Sequence, residues 1–242
     1  MIYCRLITHT IKEGDTLYLL ARRYQTTVPA ITLMNPGVNP YNLQVGMKLK
    51  ICMGEDGYMP ENPQISERQL WEDMREVLSS QGMLEKMFID SSNFSTENRD
   101  AVMQRLAQSP QDFTDILKMY YSDADSNAMK MMQTQWIAQL EEMTEAAKQV
   151  DHERMMGVSE QMRENAEKMA EMLAEGNQEL DEEYLEQLLV KLANAAYEDV
   201  NLMMEQKYPQ ALMVHEDAGR TRMELADYLT DGIIKNFYEK KM

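Results

Sequence analysis

The spacing of hydrophobic and polar positions changes character once along this chain, near residue 60. Before that point the pattern is short and mixed. Thr8-His9-Thr10-Ile11 alternates and is rich in β-branched residues, which predicts a strand. Gly14-Asp15 turns the chain. Asp15 is a suitable N-cap for a helix in which Leu17, Leu20, Ala21 and Tyr24 recur at i, i+3, i+4 and i+7. Thr27 is placed to cap a second short helix, with Pro29 in its first turn and Ala30, Ile31 and Met34 facing inward. Asn35 precedes Pro36, which disfavours further helix, and Gly37, Asn39, Pro40 and Asn42 make a loop. Gly46 leads into Met47-Lys48-Leu49-Lys50-Ile51, a second alternating strand. The first unit, residues 1–53, is therefore expected to be a small βααβ module of the α+β class.

Residues 54–65 read as a linker, with Gly54, Gly57, Pro60 and Pro63 close together. Every later segment has helical spacing. Ser66-Glu67-Arg68-Gln69 fits a capping box for a helix to about Phe88. Ser95 is expected to open a helix ending near Leu106, and Ser109-Pro110 another. A long helix is predicted from about Asp125 to Val150, burying Trp136, Ile137, Leu140, Met143 and Ala147. The next follows Asp151, buries Met162, Ala166, Met169, Ala170 and Leu173, and stops at Gly176-Asn177. Asp181 caps a helix with Leu185, Leu188, Leu189, Leu192, Ala196 and Val200 on one face, and Tyr208-Pro209 breaks it. The last helix is expected to bury Leu212, Ala226, Leu229, Ile233 and Phe237. Long helices joined by short loops pack as an all-α antiparallel bundle, here residues 66–242.

Three pieces of the first unit carry a resemblance: Gly14-Asp15-Thr16-Leu17, Asn35-Pro36, and Gly46 with the strand after it. In order and spacing they resemble the LysM domain, and Pro40-Tyr41-Asn42-Leu43-Gln44-Val45-Gly46 is similar to modules of spore-forming Firmicutes. The resemblance implies binding of peptidoglycan or a chitin-like glycan containing N-acetylglucosamine. It also implies a shallow groove between two loops, Gly14, Asp15, Thr16 and Leu17 facing Asn35, Pro36, Gly37, Val38 and Asn39. Gly and Pro-Gly loops bring backbone donors and acceptors close to a sugar. The plainer reading of Gly14 and Asp15 is a turn and a cap. Met223 to Lys235 loosely resembles helical-bundle proteins of Clostridia and bacilli that are sometimes joined to such modules, a likeness that bears on fold more than on function.

Charge divides the two parts. Residues 1–53 carry a net +4, so the remainder carries −21 of the total −17. An acidic surface of that size argues against nucleic acid or an anionic membrane as its partner. No run of about 20 apolar residues exists to span a membrane. Met1-Ile2-Tyr3-Cys4-Arg5 lacks the basic-then-apolar pattern of a secretory signal, which implies a protein made in the cytoplasm. A glycan-binding protein then needs another route to the wall. Assembly on a forespore, at the spore coat or cortex, supplies one, and release by lysis another.

Candidate chemistry changes the picture little. Cys4 and Cys52 flank the module and could form a disulfide if its two strands pair antiparallel; the alternative is two thiols in a reducing compartment. The 24 methionines include Met131-Met132, Met155-Met156 and Met203-Met204. They read as core filler, as an adaptable surface for a partner helix, or as a copper(I)-like site. His152 and His215 are the only histidines after the module, and Glu-x-x-His occurs at neither. Glu198, facing Asp227 or His215, is the best candidate for an inward metal-binding carboxylate. No cysteine lies beyond Cys52, and no H-E-x-x-H, P-loop or G-x-S-x-G motif occurs. The reading is a non-enzymatic glycan-binding protein without cofactor, whose bundle is a structural or docking domain. The alternative is a wall-targeted bundle enzyme or a ferritin-like metal-binding protein.

Overall fold

The computed structural model describes residues 5–12, 15, 17–24, 26, 31–32, 34–38, 43–53, 67–94 and 97–237. The chain divides into two compact units, Met1–Ile65 and Ser66–Met242.

In the first unit, β1 (Arg5–Thr10) pairs antiparallel with β2 (Lys48–Met53), with Ile7 opposite Ile51 and His9 opposite Leu49. β1 begins three residues before Thr8 and stops one before Ile11, and β2 begins one residue after Met47 and runs two past Ile51. Ile7, His9 and Ile11 face inward, Thr8 and Thr10 outward. The pairing extends past β1: Ile11 N–H donates to Met47 C=O and Gly46 N–H to Ile11 C=O, each at 2.8 Å. Gly46 turns the chain into β2 with φ +90°, a left-handed conformation that glycine adopts without steric cost. Helix α1 (Leu17–Arg23) covers the sheet. Leu17, Leu20 and Ala21 join Ile11, Ile31, Leu49 and Ile51 in the core. Of the second predicted helix, Thr27, Pro29 and Ala30 lie outside the described residues, while Ile31, Thr32 and Met34 are helical.

The second unit is helical: α2 (Glu67–Asn93), α3 (Arg99–Leu106), α4 (Ser109–Leu117), α5 (Asp123–Lys148), α6 (His152–Gly176), α7 (Glu182–Met204) and α8 (Tyr208–Phe237). The long helices pack α5 on α6, α6 on α7, α7 on α8 and α8 on α2. Arg75 near the start of α2 meets Asp227 near the end of α8, and Phe94 just after α2 meets Tyr208, so these two are antiparallel. Side chains cap three starts: Ser122 Oγ accepts from Asp125 N–H, Asp151 from Arg154 N–H and Asp181 from Tyr184 N–H.

Several boundaries differ from expectation. α2 runs past Phe88 to Asn93 because Ile89, Ser91 and Ser92 are buried as well. Ser95 lies outside the described residues, and α3 begins at Arg99. Tyr208-Pro209 does break the chain after α7, but α8 starts at Tyr208 itself, with Pro209 in its first turn where a missing N–H costs nothing. The inward stripe of α8 runs through Ala211, Ala218, Leu225 and Leu229. Ala211 takes the inward position, and Leu212, expected in the core, is 56% exposed. The methionine pairs split as a helical period requires: Met155 and Met203 are buried, while Met131 and Met156 are exposed.

Candidate functional site

The loop between β1 and α1 is closed by its own polar groups. Lys12 N–H donates to Asp15 Oδ2 at 2.8 Å, and Asp15 N–H donates to Lys12 C=O at 3.1 Å. The carboxylate also accepts from His9 Nε2–H at 2.7 Å and lies 3.4 Å from the Arg23 guanidinium. The second ring nitrogen of His9 lies 2.7 Å from the Tyr24 hydroxyl, which donates to it when the imidazole is neutral. Burial pushes the Asp15 carboxyl up, but the bonds from His9 and Lys12 and the charges of His9 and Arg23 outweigh it and hold it below the usual carboxylate range. The Asp15 side chain is only 6% exposed. It clamps strand, turn and helix together, and it turns back to Lys12 rather than out toward a ligand.

Asn35 has a comparable role on the other loop. Its Nδ2 donates to Ile31 C=O and to Lys50 C=O, both at 2.7 Å, and its Oδ1 accepts from Lys50 N–H at 2.8 Å. A strand residue points its N–H and C=O to the same side. Because Asn35 takes both groups of Lys50, it occupies the edge of β2 that β1 leaves open, as a further strand would. Val38 N–H donates to Asn35 C=O at 3.1 Å, and Gly37 at φ +91° completes this tight loop.

Residues 9–51 match the LysM domain family. Comparison with curated proteins and with solved structures found no match. LysM domains generally bind peptidoglycan or chitin-like glycans, so this module carries that general expectation. Gly14, Thr16 and Asn39 lie outside the described residues. Leu17 is buried in the module's core. Asp15 and Asn35 present little free polarity, while Pro36 and Gly37 are exposed and Val38 is half-buried against the core. Among the described residues of the second loop, the exposed ones are Pro36 and Gly37. Cys52 is disulfide-bonded, and Cys4, the other cysteine of the chain, lies outside the described residues.

The His9–Asp15–Tyr24 network was not foreseen from the LysM domain's sequence. Its signal was the strand alternation, which puts His9 on the inward face between Ile7 and Ile11, where a polar side chain needs partners.

In the bundle, the predicted metal-binding group is not assembled. Glu198 is exposed, and the inward carboxylate is its neighbour Asp199, 4% exposed and 2.9 Å from Lys86 Nζ. Burial holds Asp199 above the usual carboxylate range, against the pull of Lys86. Asp227 is taken by Arg75 in a two-bond pair at 2.6 and 2.7 Å. His152 is exposed; His215 is half-buried, and burial with the charges of Arg222 and Lys86 lowers its pKa. Among the described residues, no three His, Cys, Asp or Glu side chains come together to hold a metal ion. No helix among them is long and apolar enough to cross a membrane. A second buried ion pair joins Arg222 of α8 to Glu85 of α2. Gly82 makes room for it: a Cβ there would lie 2.8 Å from Arg222 Cδ and 2.9 Å from its Nε.

Proposed function

We propose that this chain is a non-enzymatic wall protein. The LysM domain holds it to peptidoglycan, and the acidic bundle serves as a docking or structural domain. The observation that carries the reading is a matched glycan-binding module whose second loop is locked from behind by Asn35 and leaves Pro36 and Gly37 outward. A loop fixed before the ligand arrives loses little entropy on binding. A single shallow site still binds weakly, because it covers only part of a sugar chain. The spore envelope is the setting that the likeness to Firmicutes modules suggests.

The test is co-sedimentation of the full chain with purified cortex and vegetative peptidoglycan, with N-acetylglucosamine oligomers as competitors. We expect pelleting that the oligomers reverse and that Pro36→Glu abolishes. Failure of the folded chain to pellet with either glycan refutes the reading. Pelleting unaffected by both competitor and Pro36→Glu moves the binding surface elsewhere.

A further inference from the structure

The centre of the bundle holds a cavity of about 40 Å³, walled mainly by leucine, methionine and phenylalanine side chains. One part of its wall is polar: Gln81 and Glu85 of α2, Gln133 and Trp136 of α5, and Arg222 of α8. The Glu85 carboxylate is the hub. It accepts from Gln81 Nε2 at 3.1 Å, from Trp136 Nε1 at 3.2 Å and from Arg222 Nη2. These bonds fix the direction of the Gln81 amide. An ionised carboxylate only accepts, so the NH2 end must face Glu85 and the carbonyl must face away. That carbonyl, Gln81 Oε1, has no hydrogen-bond partner in the protein, and neither has Gln133 Oε1. Both side chains are more than nine-tenths buried, at 8% and 7% exposed.

Two buried acceptors around one cavity select a donor. A small anion is disfavoured there, because it would meet two carbonyl oxygens and Glu85. A cation is disfavoured by the Arg222 guanidinium, whose charge Glu85 already balances. What suits two carbonyls beside a neutralised ion pair is an uncharged O–H group. The volume sets its size. A buried water needs at least about 10–15 Å³ measured this way, so the space suits roughly three to four waters and no aromatic or sugar ring.

We propose that this cavity is a binding site for small uncharged hydroxyl donors, occupied by a buried water cluster that links the carbonyls of Gln81 and Gln133. The cluster ties α2 to α5 beside the Glu85–Arg222 pair and completes the polar layer of an otherwise apolar core. It gives two buried carbonyls that lack a protein partner a structural role, in the place where a bundle enzyme would carry its reactive centre.

Water-proton and oxygen relaxation dispersion on the full chain counts waters that stay bound for microseconds. The native chain should show roughly three to four more such waters than Gln81→Leu/Gln133→Leu. Equal counts in the two folded proteins overturn the proposal. If the double variant does not fold, a high-resolution crystal structure of the native chain decides instead. Oxygen density within hydrogen-bond distance of both carbonyls supports the site. A metal ion in the cavity, or carbonyls turned to protein donors, overturns it.

Discussion

Asn35 offers the sharpest test of how this LysM domain is built. If its side chain is a staple, removing it must destabilise the module, and the nature of the replacement must matter. Asn35→Ala deletes three hydrogen bonds, to Ile31 C=O, Lys50 C=O and Lys50 N–H. At about 0.5–1.5 kcal/mol each, the loss is near 3 kcal/mol. For a small module that is a large share of its stability. Asn35→Asp has the same shape but no donors. It keeps the bond from Lys50 N–H and turns a carboxylate toward two carbonyl oxygens, so it should cost at least as much as alanine. The two tryptophans, Trp71 and Trp136, sit in the bundle and cannot report on the module. Hydrogen exchange by mass spectrometry on peptides covering β1 and β2 can. A loss of 3 kcal/mol speeds exchange about 150-fold where local or global opening of the module controls it. Exchange in β2 within about threefold of native for both variants, with glycan binding reduced, would show that Asn35 serves the ligand and not the fold.

Three more outcomes follow from buried charges and close contacts. Asp15 has a lowered folded-state pKa, so its contribution to module stability is complete above the unfolded value near 4 and is lost as pH falls through the lower folded value. Asp15→Asn should therefore flatten the acid unfolding of β1 and β2 followed by NMR, and an unchanged acid profile refutes the clamp. Lys86→Met leaves Asp199 buried without its partner and should cost about 3–5 kcal/mol in urea denaturation, with Lys86→Met/Asp199→Leu recovering most of it; a single variant within about 1 kcal/mol of native contradicts this. Gly82→Ala should gain about 1 kcal/mol from helix propensity alone, yet its methyl group meets the pinned Arg222, so we expect a net loss of about 1–3 kcal/mol, and a raised Tm would refute it.

What was readable in the sequence was whatever depends on near neighbours. Asp151 and Asp181 were legible as helix starts because a cap bonds a backbone group three residues away. The strands were legible because alternation is local. What failed to read depends on distant partners or on phase. Glu198 and Asp199 are adjacent acids, and the one that turns inward is set by Lys86, 113 residues earlier in the chain. Leu212 was expected in the core with Ala226, Leu229 and Ile233; those three are buried, but the inward stripe reaches the start of α8 through Leu225, Ala218 and Ala211, which leaves Leu212 outside. In the module, the order of the motif residues and the turn at Asp15 were visible, while the distant partners that hold Asp15 and Asn35 were not. Whether Asp15 faces sugar or protein depends on His9, which reaches it from a strand and is itself held by Tyr24, the residue after α1.

That division of roles bears on how the module would hold glycan. The polar motif side chains Asp15 and Asn35 are held by the fold, so on the function we propose the glycan contacts among the described residues are Pro36, Gly37 and exposed backbone. Such contacts are uncharged. The module nevertheless carries a net +4 over residues 1–53, and a wall rich in anionic polymers would attract it without any specific site. Salt separates these two modes. Raising ionic strength from about 0.05 to 0.5 M shortens the screening length from roughly 14 to 4 Å, which weakens non-specific adsorption steeply. Binding through Pro36, Gly37 and backbone should change less than about twofold over that range and should still be reversed by neutral N-acetylglucosamine oligomers. Pelleting that vanishes with salt and ignores the oligomers would mean that the positive charge of the module, and not its loops, holds this chain to the wall.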